Sequence, residues 1–223
     1  MSRGSWMAPL ALFAALVSGS LAADLAGRYV TLGKCPNITN KADFDAVPYL
    51  GRWYEQERYD IVFQSGMDCV NAIYSDMGNG YVEVHNTART SFGDFTDIVG
   101  QAHVVEPGVL LVEFGGCEYC VIYVSSLSSM CVIVDLYYVL GLCCHDSRGQ
   151  ISHILDTDYE NYSSVYNCFE EGEYRWQYAW LLTRAQAPSA DLLATGRQVF
   201  ANNGIDLDSF HVTYQGDDCP YLA

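Results

Sequence analysis

Tyr174 to Arg184 reads "YRWQYAWLLTR". In an extended strand, successive side chains point to opposite faces. One face of this run therefore carries Tyr174, Trp176, Tyr178, Trp180, Leu182 and Arg184, and the other Arg175, Gln177, Ala179, Leu181 and Thr183. Four aromatics ending in a guanidinium make an unusual inner face. A filled sandwich core draws more on branched aliphatics, whereas amphipathic aromatics suit the wall of a cavity that holds a ligand. Sandwich and barrel both remain open on this run alone.

Further strand patterns lie upstream. "DCVNAIYSDMGNGYVEVHNTA" holds two alternating segments joined at Met77-Gly78-Asn79-Gly80, a hairpin signal. Strand-like runs follow at 95–105, 109–114, 151–158 and 163–168. Ser189 can cap a helix carrying Leu192, Leu193, Val199 and Phe200, which Asn202-Asn203-Gly204 would end, and "FHVTY" supplies a closing strand. Many short strands without intervening helices predict an antiparallel sandwich or barrel with one late helix.

"YLGRWYEQERY", residues 49–59, puts Trp53 among charges, with Gly51 and Glu55 on its own face. No wholly apolar core face is spelled this way. Residues 1–22 read as a secretory signal: Arg3, the apolar run Met7 to Val17, then Ser20-Leu21-Ala22. That leaves residues 23–223 as one domain. The chain has 11 Lys and Arg against 27 Asp and Glu, net −16, and losing Arg3 makes it more negative still. Such a surface repels phosphate backbones and anionic headgroups, which argues against nucleic acid as a partner. All nine cysteines lie beyond the signal, consistent with disulfides and one thiol left over. Asn37-Ile38-Thr39 and Asn161-Tyr162-Ser163 are glycosylation sequons that fit secretion.

Gly51-Arg52-Trp53, Thr157-Asp158-Tyr159 and Arg184 in "LLTR" resemble, in order, the three motifs of the lipocalins. "GKCPNITNKADFDAVPYLGRWYEQER", "ILDTDYENYSSVYNC" and "GDDCPY" extend the resemblance to the group of apolipoprotein D, bilin-binding insect lipocalins and crustacyanins. It covers roughly Lys34 to Tyr221 except a stretch near 116–150. The resemblance implies an all-β, eight-stranded antiparallel up-and-down barrel, open at one end, with one C-terminal helix packed outside.

In that fold Trp53 plugs the closed end with Arg184 across its indole, and Gly51 allows close approach. Thr157, Asp158 and Tyr159 form a turn at the same end. These roles are structural, and no catalytic residue is expected. The resemblance also implies the disulfides Cys35–Cys168 and Cys69–Cys219. Tyr74 and Asn86 match family positions lining the pocket. Alternation adds Val82, Val84, Leu110, Val112 and Phe114 to the aromatic wall of Trp176, Tyr178 and Trp180, with plain core packing as the alternative for the aliphatics.

The implied function is a secreted carrier of a small hydrophobic ligand, with no metal and no covalent cofactor. Likeness to crustacyanin suggests a carotenoid, likeness to the insect proteins a bilin, and likeness to apolipoprotein D a fatty acid or steroid. Carotenoid-binding relatives dimerise, so a homo- or hetero-dimer is compatible. An enzyme is the alternative class and would need a reactive thiol.

The stretch at 116–150 departs from the family. Its apolar run Val121 to Leu142 suggests a membrane span, but a single span would separate the cysteines of both implied disulfides, and Asp135 weakens insertion. The remaining readings are an element capping the barrel mouth, an apolar patch meeting a receptor or membrane, or translated non-coding sequence. Cys117, Cys120, Cys131, Cys143 and Cys144 fall here; local disulfides are favoured over a redox dithiol or a zinc site.

Overall fold

The computed structural model describes residues 30–114 and 149–222. The signal segment and most of the 116–150 insert, with its five cysteines, lie outside the described residues. β-Branched and aromatic alternation builds ten strands: β1 (Val30–Leu32), β2 (Gly51–Tyr59), β3 (Asp68–Gly78), β4 (Tyr81–Arg89), β5 (Phe95–Glu106), β6 (Val109–Phe114), β7 (Gln150–Thr157), β8 (Tyr162–Glu171), β9 (Tyr174–Thr183) and β10 (Phe210–Val212). Gln150, placed in the insert by the sequence reading, begins β7 instead.

Consecutive strands pair antiparallel from β2 through β9, and β9 returns to pair with β2, so the sheet closes into an eight-stranded barrel. Closure removes the unpaired edges that an open sheet exposes. β1 and β10 are short additions on β9 and β2. Asn79 and Gly80 both take positive φ (+57° and +79°) in the β3–β4 hairpin, the backbone that a two-residue turn of matching twist requires.

Among the described residues, two α-helices flank the barrel. α1 (Ala46–Tyr49), a single turn not anticipated from the sequence, is capped by the Asp45 carboxylate. α2 (Ala190–Asn202) begins where Ser189 Oγ accepts from Leu192 N and stops at Asn203. Phe200, on the inner side of α2, belongs to a buried cluster with Leu155, Tyr166, Ala179 and Leu181 on the outer wall of the barrel. Gly196 admits the Leu181 side chain where a Cβ would collide with it.

Two disulfides tie the ends of the chain to the wall, Cys35–Cys168 for the N-terminal arm and Cys69–Cys219 for the C-terminal tail. Among the described residues, no helix is long and apolar enough to cross a membrane.

Candidate functional site: the barrel interior

The closed end is built around Trp53, which is fully buried. Its Nε1 donates to Tyr49 O at 2.9 Å, fastening the ring to α1. The Arg184 guanidinium lies 3.8 Å from the indole centroid, a cation–π contact contributing about 0.5–2 kcal/mol. The same guanidinium donates to Arg52 O (2.8 Å), Pro48 O (3.0 Å), Tyr49 O (3.2 Å) and Tyr159 O (3.0 Å). One side chain thus satisfies carbonyls from the α1 region, β2 and the β7–β8 turn. Gly51 has φ +93°, a conformation that favours glycine, and a Cβ there would press on Arg184 Nη1 at 3.2 Å.

The turn is equally tied. Thr157 Oγ1 donates to Tyr162 O, and Asp158 accepts from the backbone N–H groups of Asn161 and Tyr162. Partial burial works against the charged Asp158 carboxyl, but a bond from Asn161 Nδ2 together with the backbone N–H bonds outweighs it and holds the pKa below its ordinary value. Tyr159 takes positive φ (+68°) and donates its hydroxyl to Asp43 O at 3.2 Å.

Trp53 and Tyr49 share one cluster with Val84, Ala102, Leu110, Ile154, Val165 and Leu182, all buried. Tyr74, Val112, Phe114 and Trp180 pack against that cluster while remaining only half-buried. Of the residues assigned from sequence, Val84 and Leu110 therefore belong to the filled floor, Val112, Phe114 and Trp180 border space above it, and Tyr74, paired with Gly51 and 5.2 Å from the Tyr49 ring, lies beside the closed end. Val82 shares the face of Val84 but lies outside the cluster. Asn86 is half-buried on the same face, paired with Ala72 and Ile98.

The aromatic wall of β9 is shorter than the sequence suggested. Tyr178 is buried and Trp176 and Trp180 are half-buried, but Tyr174, at the strand's lip, is 52% exposed. The wall continues onto neighbouring elements instead. Phe169 of β8 stacks on Trp176 at 5.8 Å, and Phe63, from the loop after β2, meets Tyr178 edge-on at 5.6 Å. Deep placement pushes the Tyr74 phenol up to about 12, although the ring is not fully covered by protein.

Sequence reading missed three features of this interior. Glu55, beside Trp53, is buried and paired with the fully buried Arg58 at 2.8 Å. Gln64 Nε2 and Thr213 Oγ1 also donate to the Glu55 carboxylate, while Arg58 donates to Gln64 O and Met67 O. This accounts for Glu55 and Arg58, which form a closed network inside the wall, while Arg52 donates to Leu222 O and Glu57 accepts from Arg197 of α2. A strand bulge between Glu55 and Glu57 brings Arg58 to Glu55, and alternation alone does not show a bulge. Gly100 leaves room for Phe114, whose Cδ1 would lie 2.5 Å from an added Cβ. Asn167 points inward beside Val165 and opposite Tyr178.

Cys35, Cys69, Cys168 and Cys219 are all disulfide-bonded, so no described cysteine offers a thiolate. Among the described residues, no group of three or more His, Cys, Asp or Glu side chains gathers around a point that would hold a metal ion. Two hollows of about 500 and 290 Å³ lie outside the barrel against α2, the first bordered by Asp156, Tyr162 and Gln198, the second by Glu57 and Arg197. Both are seams where the helix meets the wall.

Residues 44–135 match the family model described as a Lipocalin-like domain. Apolipoprotein D of Mus musculus is 30% identical over 221 residues, covering 96% of this chain and 98% of that protein. The Crustacyanin-A1 subunit of Homarus gammarus is 24% identical over 89% of this chain and 97% of that one. Insecticyanin from the tobacco hornworm Manduca sexta superposes with a TM-score of 0.66 at 18% identity, over 86% of this chain and 92% of that one. With its closed barrel, Arg184-capped Trp53 and outer helix, the chain belongs to the lipocalin family.

Proposed function

We propose that the protein is a secreted carrier whose barrel holds a small hydrophobic ligand, a pigment such as a carotenoid being the first choice. One observation carries this reading. Above a sealed floor, the inner wall keeps Trp176, Trp180, Val112 and Phe114 only half-buried. Apolar side chains that deep in a barrel keep surface when they border space. Filling that space with an apolar ligand is favourable by roughly 25 cal/mol per Å² removed from water.

The relatives support the reading by kind: crustacyanin and insecticyanin point toward a carotenoid or bilin, and apolipoprotein D toward lipid transport with a fatty acid or steroid. Secretion would follow removal of residues 1–22, with glycans on Asn37 and Asn161, both exposed. The experiment is to purify the secreted protein from its source, record its visible spectrum, and identify the extracted ligand by mass spectrometry. A visible band that shifts to that of a free carotenoid or bilin on denaturation establishes a pigment carrier. A colourless protein yielding a fatty acid or sterol establishes lipid transport. A barrel that holds nothing and takes up no hydrophobic probe overturns the reading.

A further inference from the structure

Buried polar side chains are almost always hydrogen-bonded, because an unmet donor or acceptor loses its hydration with nothing in return. This barrel follows the rule closely. Gln56 bonds Thr183, Asn71 bonds Thr87, Ser163 bonds Tyr49, Ser164 bonds Gly196 O, and Gln177 accepts from Tyr166. Glu57 accepts from Arg197, Ser209 donates to Asp206, and Thr157, Thr213, Glu55 and Arg58 are bonded as described above. Asn167 is the exception. It is 4% exposed, and its carboxamide meets no hydrogen-bond partner among the described residues.

Its surroundings show where the amide points. Asn167 pairs with Tyr178 across β8 and β9, and Val165, two residues away on the same face, belongs to the floor cluster. Tyr166, on the other face, packs toward α2. Arg58 Nε, Asn71 Oδ1 and His103 Nδ1 are unpartnered atoms that no solvent-sized space reaches; the Asn167 amide is not among them. A buried side chain on the inner face with a reachable, unpaired amide presents that amide to the interior of the cup.

The charge around it is equally informative. Among the described residues, the buried charged side chains that face the interior are Glu55 and Arg58, 2% and 0% exposed and bonded to each other, while Glu57 turns outward to Arg197. Arg58 has no free amino group to offer a ligand, because Nη1 and Nη2 are already donating to Glu55, Thr213, Gln64 O and Met67 O. The other polar groups on that face among the described residues, which include Asn86, Gln150, Ser152 and the Tyr74 and Tyr178 phenols, are neutral. A carboxylate entering this space would lose its hydration without meeting an unpaired cation among the described residues. A hydroxyl or ketone loses far less, and the amide can repay it as donor or acceptor.

We propose that Asn167 is the polar anchor of the cup, and that the cup selects an uncharged, oxygen-bearing hydrophobic ligand over a carboxylate of the same shape. The proposal rests on the carrier reading and narrows it. Retinol, retinoate and anhydroretinol share one hydrocarbon frame and present a hydroxyl, a carboxylate and no oxygen. Each would be titrated at pH 7.5 against the intact secreted protein by quenching of tryptophan fluorescence.

Retinol is expected to bind at least about tenfold more tightly than retinoate. Asn167→Leu should weaken retinol by about tenfold and leave anhydroretinol unchanged, the loss of one hydrogen bond to a buried group. Asn167→Ser, small and polar enough to keep the strand intact, should weaken retinol alone and by less. Retinoate binding as tightly as retinol overturns the proposal, as does an Asn167→Leu variant that keeps its retinol affinity or loses anhydroretinol equally. If the folded wild-type protein binds none of the three, the carrier reading itself fails and the anchor with it.

Discussion

Trp53 and Trp180 occupy the same inner face of one barrel, on adjacent strands, and their fates differ. Trp53 is fully buried, its Nε1 bonded to Tyr49 O and its ring covered by Arg184. Trp180 is half-buried, and its Nε1 donates 2.9 Å to Gln64 Oε1, a side chain from the loop at the opposite end. The strand pattern assigns both rings to the interior and says nothing about depth. What separates them is closure. α1, the β7–β8 turn and Arg184 stopper one end, whereas Trp180 stands above the stopper beside space a ligand can take.

Removing each ring in turn is the severest test of that contrast. Trp53→Ala should cost about 3–5 kcal/mol, because a large cavity opens in a site whose walls are bonded in place. Urea unfolding will read it directly. Trp180→Ala should cost clearly less stability but reduce the affinity for a bound apolar ligand. Equal losses of stability would erase the distinction between floor and cup.

Arg184 supplies the next largest effect. Four backbone carbonyls and one indole face depend on its fork, and a lysine ammonium cannot reach that set from one position. Arg184→Lys should therefore destabilise by about 2 kcal/mol, most of the cost of Arg184→Ala. A lysine variant as stable as the parent would mean that charge, and not the fork, holds the closed end together.

Gly100→Ala moves the test to the cup. The new methyl would meet Phe114 Cδ1 at 2.5 Å as well as the backbone oxygen of Glu113, so ring or strand must shift. Overpacking of this kind costs about 1–2 kcal/mol. The displaced ring should also reduce ligand affinity, while the near-ultraviolet signal of the sealed Trp53 stays unchanged. A changed Trp53 signal would show that floor and cup are not independent.

The chain sequence was most legible where one residue type has one physical use. The resemblance to the lipocalins placed Gly51, Trp53 and Arg184 together at a barrel's end, and the alternation in "YRWQYAWLLTR" put Trp176, Tyr178 and Trp180 inside. Tyr174 obeys the same alternation but lies 52% exposed, because the strand runs past the body of the barrel. The buried Glu55–Arg58 pair was illegible because a bulge sets its spacing, and bulges leave no period in the sequence. Gly100 and Asn167 were illegible for another reason. Each matters through a neighbour brought close by pairing, Phe114 on β6 and Tyr178 on β9, and no local pattern announces that contact.

The smallest expected effect separates floor from cup by pH. His153 sits on the outer side of β7, with Nδ1 3.0 Å from Asn40 Oδ1, while the next residue, Ile154, belongs to the floor cluster. The N-terminal arm is fastened there by Lys41 N donating to Ile154 O. Burial lowers the His153 pKa, with Glu106 partly opposing it. The unfolded chain therefore takes up this proton at higher pH than the folded one. His153 costs nothing above about pH 6.5, the ordinary histidine value, and stability falls as pH drops below it until the folded form is protonated too. The carboxylates held below their ordinary values, Asp43, Asp158, Glu170 and Asp218, act only at more acid pH. Denaturant unfolding between pH 7.5 and 5.5 should show this decline, and His153→Gln should flatten part of it. Ligand affinity over the same range should stay level for an uncharged probe, since His153 touches the outside of the floor and not the cup. A parallel fall in affinity would mean that strain at the arm is transmitted through Ile154 into the binding space.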